Sequence, residues 1–270
     1  MQRTNRRLVG VFTLLVLGSM LLLCLPFLLT DREVPTVLLL IGRWLPALST
    51  LAALAICRPG GRVVEWWGLR QPGGWRRLLW GFVTAVVVSV AVAFATLGVG
   101  VLLGLVRAQL PALPLLVATV VAGALVFTLS TLGEEVAWRS FLPRALAGWG
   151  FWGSALAIGG LWAAWHLPLH LSYVAAGVMS LPVAVTSTVA LVAVAPLWQA
   201  LAARFGSVWP AAFAHAVPLT AMTLVADSMA LPVVSLVAFQ GVGMVLSLVT
   251  AAVVLHVPNK VQNRLDPPVA

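Results

Sequence analysis

Long apolar runs dominate this sequence and limit what it can fold into. Eight of them reach the roughly 20 residues that a helix needs to cross the hydrocarbon core of a bilayer. Only 9% of the 270 residues are charged and 61% are hydrophobic, whereas about a quarter of the residues in a soluble domain are charged. The sequence therefore predicts an all-α integral membrane protein, and the composition excludes an ordinary soluble domain.

The predicted transmembrane helices are separated by short polar segments, which favours one polytopic domain over residues 1–270. They cover residues 8–29, 34–56, 78–106, 113–147, 151–173, 181–203, 208–226 and 231–256. The first run follows a basic N-terminal segment, as in a signal peptide. It is longer than a signal h-region and lacks a small-residue cleavage site, so we expect it to be retained as a span.

The basic residues predict the orientation of these spans. Lys and Arg concentrate before the first span, between the second and third, and after the eighth. With eight spans these segments lie on one side, which the positive-inside rule assigns to the cytoplasm together with both termini. The net charge of +9 thus reflects topology and contact with anionic lipid, and we expect no nucleic-acid partner. Residues 58–80, rich in Trp and Arg, are predicted to form a cytoplasmic interfacial helix rather than a solvated loop.

Ionisable residues inside the predicted spans are few, and they are costly there, at about 2.5–3.5 kcal/mol each on insertion scales. Glu134 and Glu135 lie in the fourth span, with Arg139 four residues after the second glutamate. Glu135 and Arg139 have the favoured order and spacing of a helical ion pair. Glu134 points elsewhere and has no local cation, so it is a candidate general base. The alternative is a pair of solvated carboxylates near the cytoplasmic end of the span.

Two histidines in other spans are predicted to reach the same depth as Glu134. The fourth and fifth spans form a hairpin in which Glu134 lies 14 residues before Gly148 and His166 lies 16 residues after Gly150. At about 1.5 Å per residue, the two side chains are level. His215 lies roughly two turns inside the seventh span, which also starts from the cytoplasmic side. We therefore expect one polar cavity lined by three helices.

These residues also form three motifs in a fixed order. The pattern EExxxR occupies residues 134–139, and Trp162 precedes His166 in an FxxxH pattern in which Trp replaces Phe. His215 begins an HxxxN or HxxxD pattern, but Leu219 occupies the position of the Asn or Asp. Over residues 113–223 the sequence resembles the CPBP family, the CAAX prenyl endopeptidase and bacteriocin-processing (Abi) intramembrane proteases.

The resemblance implies a glutamate-type endopeptidase in a multi-pass membrane protein, and the composition suggests a bacterial plasma membrane. Glu134 would activate water together with His166, and His215 would hold the oxyanion. The implied site consists of the catalytic residues Glu134, His166 and His215 and the supporting residues Glu135, Arg139 and Trp162. We expect no metal and no other cofactor, and we expect membrane lipid and a membrane-associated peptide or protein substrate as partners.

Leu219 keeps a second interpretation open. Loss of one oxyanion donor can lower the rate by about 10²–10³, so the chain could instead be a degenerate family member with a bacteriocin self-immunity or scaffold role. A proton-coupled transporter and a zinc site that adds His170 to the other histidines are weaker alternatives. Arg43, in the second span, could be a functional charge, but we favour a structural residue that extends towards the membrane surface. Cys24 and Cys57 are interpreted as apolar packing residues.

Overall fold

Helices make up all the regular structure in the computed structural model, which describes residues 5–107, 112–225 and 232–256. A π-helical turn, Val136–Phe141, and a 3₁₀ turn, Ala147–Trp149, occur between α-helices. The α-helices are α1 (Arg6–Leu28), α2 (Thr36–Gly42), α3 (Leu45–Cys57), α4 (Val63–Trp66), α5 (Gly74–Leu102), α6 (Leu113–Glu135), α7 (Leu142–Ala145), α8 (Gly150–Ala175), α9 (Leu181–Phe205), α10 (Trp209–Val225) and α11 (Val233–His256). The all-α prediction is confirmed.

Five helical segments are long and apolar enough to cross a membrane. They are α1, the α2–α3 pair, α5, α9 and α11. The other three predicted spans coincide with α6, α8 and α10. A multi-pass membrane protein is therefore supported, while the count of eight spans, the cytoplasmic termini and the single-domain organisation stay predictions.

The second predicted span, 34–56, is two helices rather than one. Helix α2 ends at Gly42, and α3 begins at Leu45. Pro46 has no N–H group and cannot donate to the carbonyl of Gly42 four residues earlier, which interrupts the α-helical ladder. The interruption turns the chain at Arg43 and Trp44, in the middle of an apolar segment.

The fourth predicted span, 113–147, is also divided. After α6 the chain widens into the π-helical turn, where the N–H of Leu142 bonds to the carbonyl of Ala137 at the five-residue spacing. Pro143 follows and offers no N–H to the carbonyl of Arg139, so an ordinary α-helical ladder is broken at this point. Such π turns inside helices occur frequently at functional sites, and this one directly follows Glu135.

The segment 58–80 contains one helical turn, α4, and a loop before α5, instead of a continuous helix. The loop is bonded to the helices around the π turn. Gly68, at φ +61°, accepts a hydrogen bond from the backbone N–H of Val208 at 3.1 Å, and Ser140 donates to the carbonyl of Trp66 at 2.9 Å. A side chain at Gly68 would collide with Ser140. The loop therefore closes one end of the helix bundle beside the π turn.

Several helices pack around the end of α6. Helix α10 packs along α6, and α8 packs between α1 and α9. Thr131 on α6 donates a hydrogen bond to the carbonyl of Ala212 on α10 at 3.1 Å. Trp138 in the π turn packs edge-on against Phe12 of α1, with ring centroids 5.6 Å apart. The motif residues at the end of α6 are therefore held from several sides.

Candidate active site

Glu134 is buried at the end of α6 and has two partners from distant parts of the chain. Its side chain is 2% exposed. Oε2 accepts a hydrogen bond from Nε1 of Trp162 at 2.9 Å, and Oε1 lies 3.7 Å from Nε of Arg43. Glu134 has no local cation in the sequence, but Arg43 from the α2–α3 break lies beside it in the fold.

Arg43 lies against α6 beside Glu134, a contact that its position in the second span did not reveal. Its Nη1 donates to Oγ of Ser130 at 3.4 Å, and its guanidinium lies 5.7 Å from the ring centre of Phe127. Gly133 permits this approach. A Cβ there would lie 2.6 Å from the carbonyl oxygen of Arg43 and 2.8 Å from Cα of Trp44. Glycine thus allows the break between the helices to sit directly on α6.

Glu135 forms a separate, fully buried network. The ion pair expected from its spacing is present, with Nε of Arg139 at 3.3 Å from Oε2. Its other oxygen, Oε1, accepts a hydrogen bond from Nδ1 of His215 at 2.9 Å. Glu135 therefore links α6 to α10 and compensates the charge of a buried arginine.

Arg139 lies over two neighbouring indole rings. Its guanidinium carbon is 5.0 Å from the ring centre of Trp162 and 5.6 Å from that of Trp198. None of its guanidinium nitrogens makes a hydrogen bond within the described residues. The ion pair to Glu135 and the two aromatic faces therefore carry its charge, since a cation over an indole face is attracted by the ring quadrupole.

His215 is fixed in orientation by Glu135 and by an aromatic stack. Its ring stacks on Trp198, with centroids 4.2 Å apart and planes 24° apart. Because a carboxylate oxygen only accepts hydrogen bonds, Nδ1 of His215 must carry the proton in the bond to Glu135. Nε2 is then the ring nitrogen available to a reacting group.

His166 is connected to Glu134 through Trp162. Its Nδ1 lies 3.0 Å from the backbone carbonyl oxygen of Trp162, which can only accept, so Nδ1 carries the proton. In the neutral ring, Nε2 therefore keeps its lone pair. The indole of the same Trp162 donates to Glu134. No direct hydrogen bond joins His166 to Glu134, so the predicted pair is brought together by a shared tryptophan.

The sequence also pointed to His170 and Leu219. His170 bonds through Nδ1 to Oγ1 of Thr188 at 2.7 Å, on the neighbouring α9. Across the described ranges, no three His, Cys, Asp or Glu side chains are grouped as metal ligands. Leu219 belongs to α10, but its side chain is outside those that the structure describes.

Comparison with known families agrees with the motifs. Residues 114–218 match a family described as Type II CAAX prenyl endopeptidase Rce1-like. This segment is similar to that family. The predicted family resemblance is therefore confirmed for this segment, which includes both glutamates, Arg139, Trp162 and both candidate histidines, and it points to a membrane protease. No curated protein and no solved structure matches the chain.

Arg43 lies outside the Rce1-like segment and belongs to none of the three motifs. The sequence left a functional role for Arg43 open, but its contact with Glu134 was not predicted. The available signals were an arginine within an apolar run, a nearby proline that breaks the helix, and a glycine directly before Glu134. None of these signals says that residues 91 positions apart meet, and only the packing of α3 and α6 brings them together.

Proposed function

We propose that this protein is an intramembrane endopeptidase that hydrolyses a peptide bond in a membrane-associated peptide or protein near the cytoplasmic side. One observation carries the proposal. The buried carboxylate of Glu134 is oriented by Trp162, and the same tryptophan orients His166 with a free Nε2. The match of the surrounding segment to a protease family supports it.

The chemistry follows from the placement of these two acceptors. A water between Glu134 and Nε2 of His166 would donate one hydrogen bond to each. As its oxygen attacks the scissile carbonyl carbon, Glu134 takes a proton from the water and the carbonyl π electrons move onto oxygen. When the tetrahedral intermediate collapses, the C–N bond breaks and the proton passes from Glu134 to the leaving amine. The products are a carboxylic acid and an amine.

His215 would face the oxyanion from α10. With Nδ1–H bonded to Glu135, Nε2 can donate only if both ring nitrogens carry protons. The carboxylate of Glu135 is placed to compensate the charge of such an imidazolium. This assigns the two adjacent glutamates to different tasks, one as base and one as support for His215.

Cleavage of membrane-anchored peptides by purified protein in detergent tests the proposal. Glu134→Gln should lower turnover by about 10²–10⁴, and His166→Ala should also reduce it strongly. The matched controls are Glu65→Gln, at an exposed carboxylate, and His170→Ala, one turn along α8 from His166. Both controls should cleave like wild type, with or without a chelator. Full cleavage by Glu134→Gln would refute the assignment.

A second candidate function follows from Leu219. The motif that resembles the family requires Asn or Asp at this position, and leucine has no hydrogen-bond donor. We therefore also propose an immunity or scaffold role for a site that has lost its activity. In that case wild type and Glu134→Gln would be equally inactive in cleavage and equally able to confer protection in cells.

A further inference from the structure

Among the described residues, Arg43 is the one charged group against Glu134 that the family motifs do not account for. Its Nε lies 3.7 Å from Oε1 of Glu134, although the two residues belong to separate helical segments. Its backbone is fixed, because the helix break rests on Gly133 with no room for a Cβ, and its guanidinium is held by Glu134 and Ser130. A guanidinium held in this way is a fixed part of the site.

The site contains a second arginine, but the two differ in access. The Arg43 side chain is 22% exposed, whereas that of Arg139 is 0% exposed and is enclosed by Glu135 and two indoles. The contacts of Arg43 with Glu134 and Ser130 involve two of its guanidinium nitrogens. A guanidinium has five N–H donors. Arg43 therefore has donors left for a group that enters beside Glu134.

We propose that Arg43 is a catalytic residue that donates to the oxyanion in place of the side chain missing at position 219. This inference rests on the proposed function. The oxyanion is the former carbonyl oxygen of the carbon that the Glu134-bound water attacks. It therefore develops near that carboxylate. An effective donor must lie about 2.7–3.1 Å from the oxyanion, and Arg43 borders the carboxylate from the accessible side. A charged guanidinium meets this need without a donor at position 219.

A structural ion pair is the competing explanation for Arg43. It would stabilise the fold or keep Glu134 ionised, but it would not be replaceable by a neutral amide at position 219. The oxyanion role makes the opposite prediction, because an amide N–H supplies the same kind of donor. Variants at positions 43 and 219 therefore distinguish the two explanations.

The experiment measures kcat and KM for peptide cleavage by wild type, Arg43→Gln, Arg43→Lys, Leu219→Asn and the Arg43→Gln/Leu219→Asn double variant. Arg43→Gln should lower kcat by about 10²–10³ with little change in KM. Arg43→Lys should retain part of the activity, because it keeps the charge without the planar fork. Leu219→Asn should restore at least tenfold of the kcat lost in Arg43→Gln. Arg32→Gln, an exposed arginine before α2, is the control and should match wild type.

Two results would overturn the inference. In the first, Arg43→Gln cleaves within a few-fold of wild type. In the second, Arg43→Gln loses activity that Leu219→Asn does not recover, whether or not Arg43→Lys is active, which assigns Arg43 to the ion pair with Glu134 alone. Thermal unfolding in detergent checks that each variant is folded. A wild type that shows no Glu134-dependent cleavage would instead remove the proposed function, so the two failures are distinguishable.

Discussion

The hydrogen bond from Trp162 to Glu134 gives the sharpest test of the site. Trp162→Phe removes the indole N–H that lies 2.9 Å from Oε2 of a carboxylate with 2% exposure. A hydrogen bond to a charged group contributes about 1.5–3 kcal/mol to stability. In chains of roughly 150–250 residues each kcal/mol shifts the melting temperature by about 2–4 °C, so the bond corresponds to roughly 3–12 °C.

Trp165 provides the matched control on the same helix. Both indoles are 1% exposed, but Nε1 of Trp165 has no hydrogen-bond partner among the residues described. Trp165→Phe therefore makes the same change in volume without breaking a bond. We expect Trp162→Phe to melt lower than Trp165→Phe by the amount above.

A double-mutant cycle then isolates the bond, because Trp162 also faces Arg139. In a Glu134→Gln background the extra loss in Trp162→Phe should shrink, since a hydrogen bond between neutral groups contributes only about 0.5–1.5 kcal/mol. Thermal unfolding in detergent of wild type, Glu134→Gln and the two tryptophan variants in each background measures both differences. Equal melting temperatures for Trp162→Phe and Trp165→Phe would refute the assignment of this contact.

Two further predictions concern packing and charge. Gly133→Ala should destabilise the protein by about 1–3 kcal/mol, because its Cβ would meet the backbone of the α2–α3 break. The control Gly160→Ala, with open space around its Cβ, should be neutral or stabilising. Equal melting temperatures for the two variants would contradict the close approach at Gly133. Arg139→Gln should cost about 3–5 kcal/mol, because it leaves Glu135 buried without its cation. The control Arg62→Gln, which breaks an exposed ion pair, should change stability by less than about 1 kcal/mol. If chemical unfolding showed a similar loss for Arg139→Gln and Arg62→Gln, burial of the Glu135–Arg139 pair would be unimportant.

Hydropathy and short-range spacing predicted the helices and one ion pair. Apolar runs give the helical segments because a membrane leaves no other way to satisfy the backbone of a single span. The Glu135–Arg139 pair was predictable because four residues along a helix bring side chains to one face, and it survives in the π turn at 3.3 Å. These inferences depend only on neighbours in the sequence.

The breaks in the helices and the contacts between them were harder to predict. Pro46 and Pro143 each signalled a missing backbone bond, but neighbouring helices can also accommodate a proline inside a span. The contact between Arg43 and Glu134 depends on how α3 crosses α6, which no local pattern encodes. The role of Trp162 was similarly hidden, because a motif that normally contains Phe gives no reason to expect an indole donor.

The two buried glutamates differ most in how they are enclosed, and this difference argues for their separate tasks. Replacing a buried ion pair with apolar groups is often neutral or stabilising, so stability alone does not explain two such pairs in so apolar a chain. The pair of Glu135 and Arg139 is sealed, with 0% exposure on both sides, and can only position its neighbours. The pair of Glu134 and Arg43 is open on the arginine side, at 22% exposure. Of the two pairs, only the second has an accessible side, which supports the proposals that Glu134 is the base and that Arg43 contacts the developing negative charge.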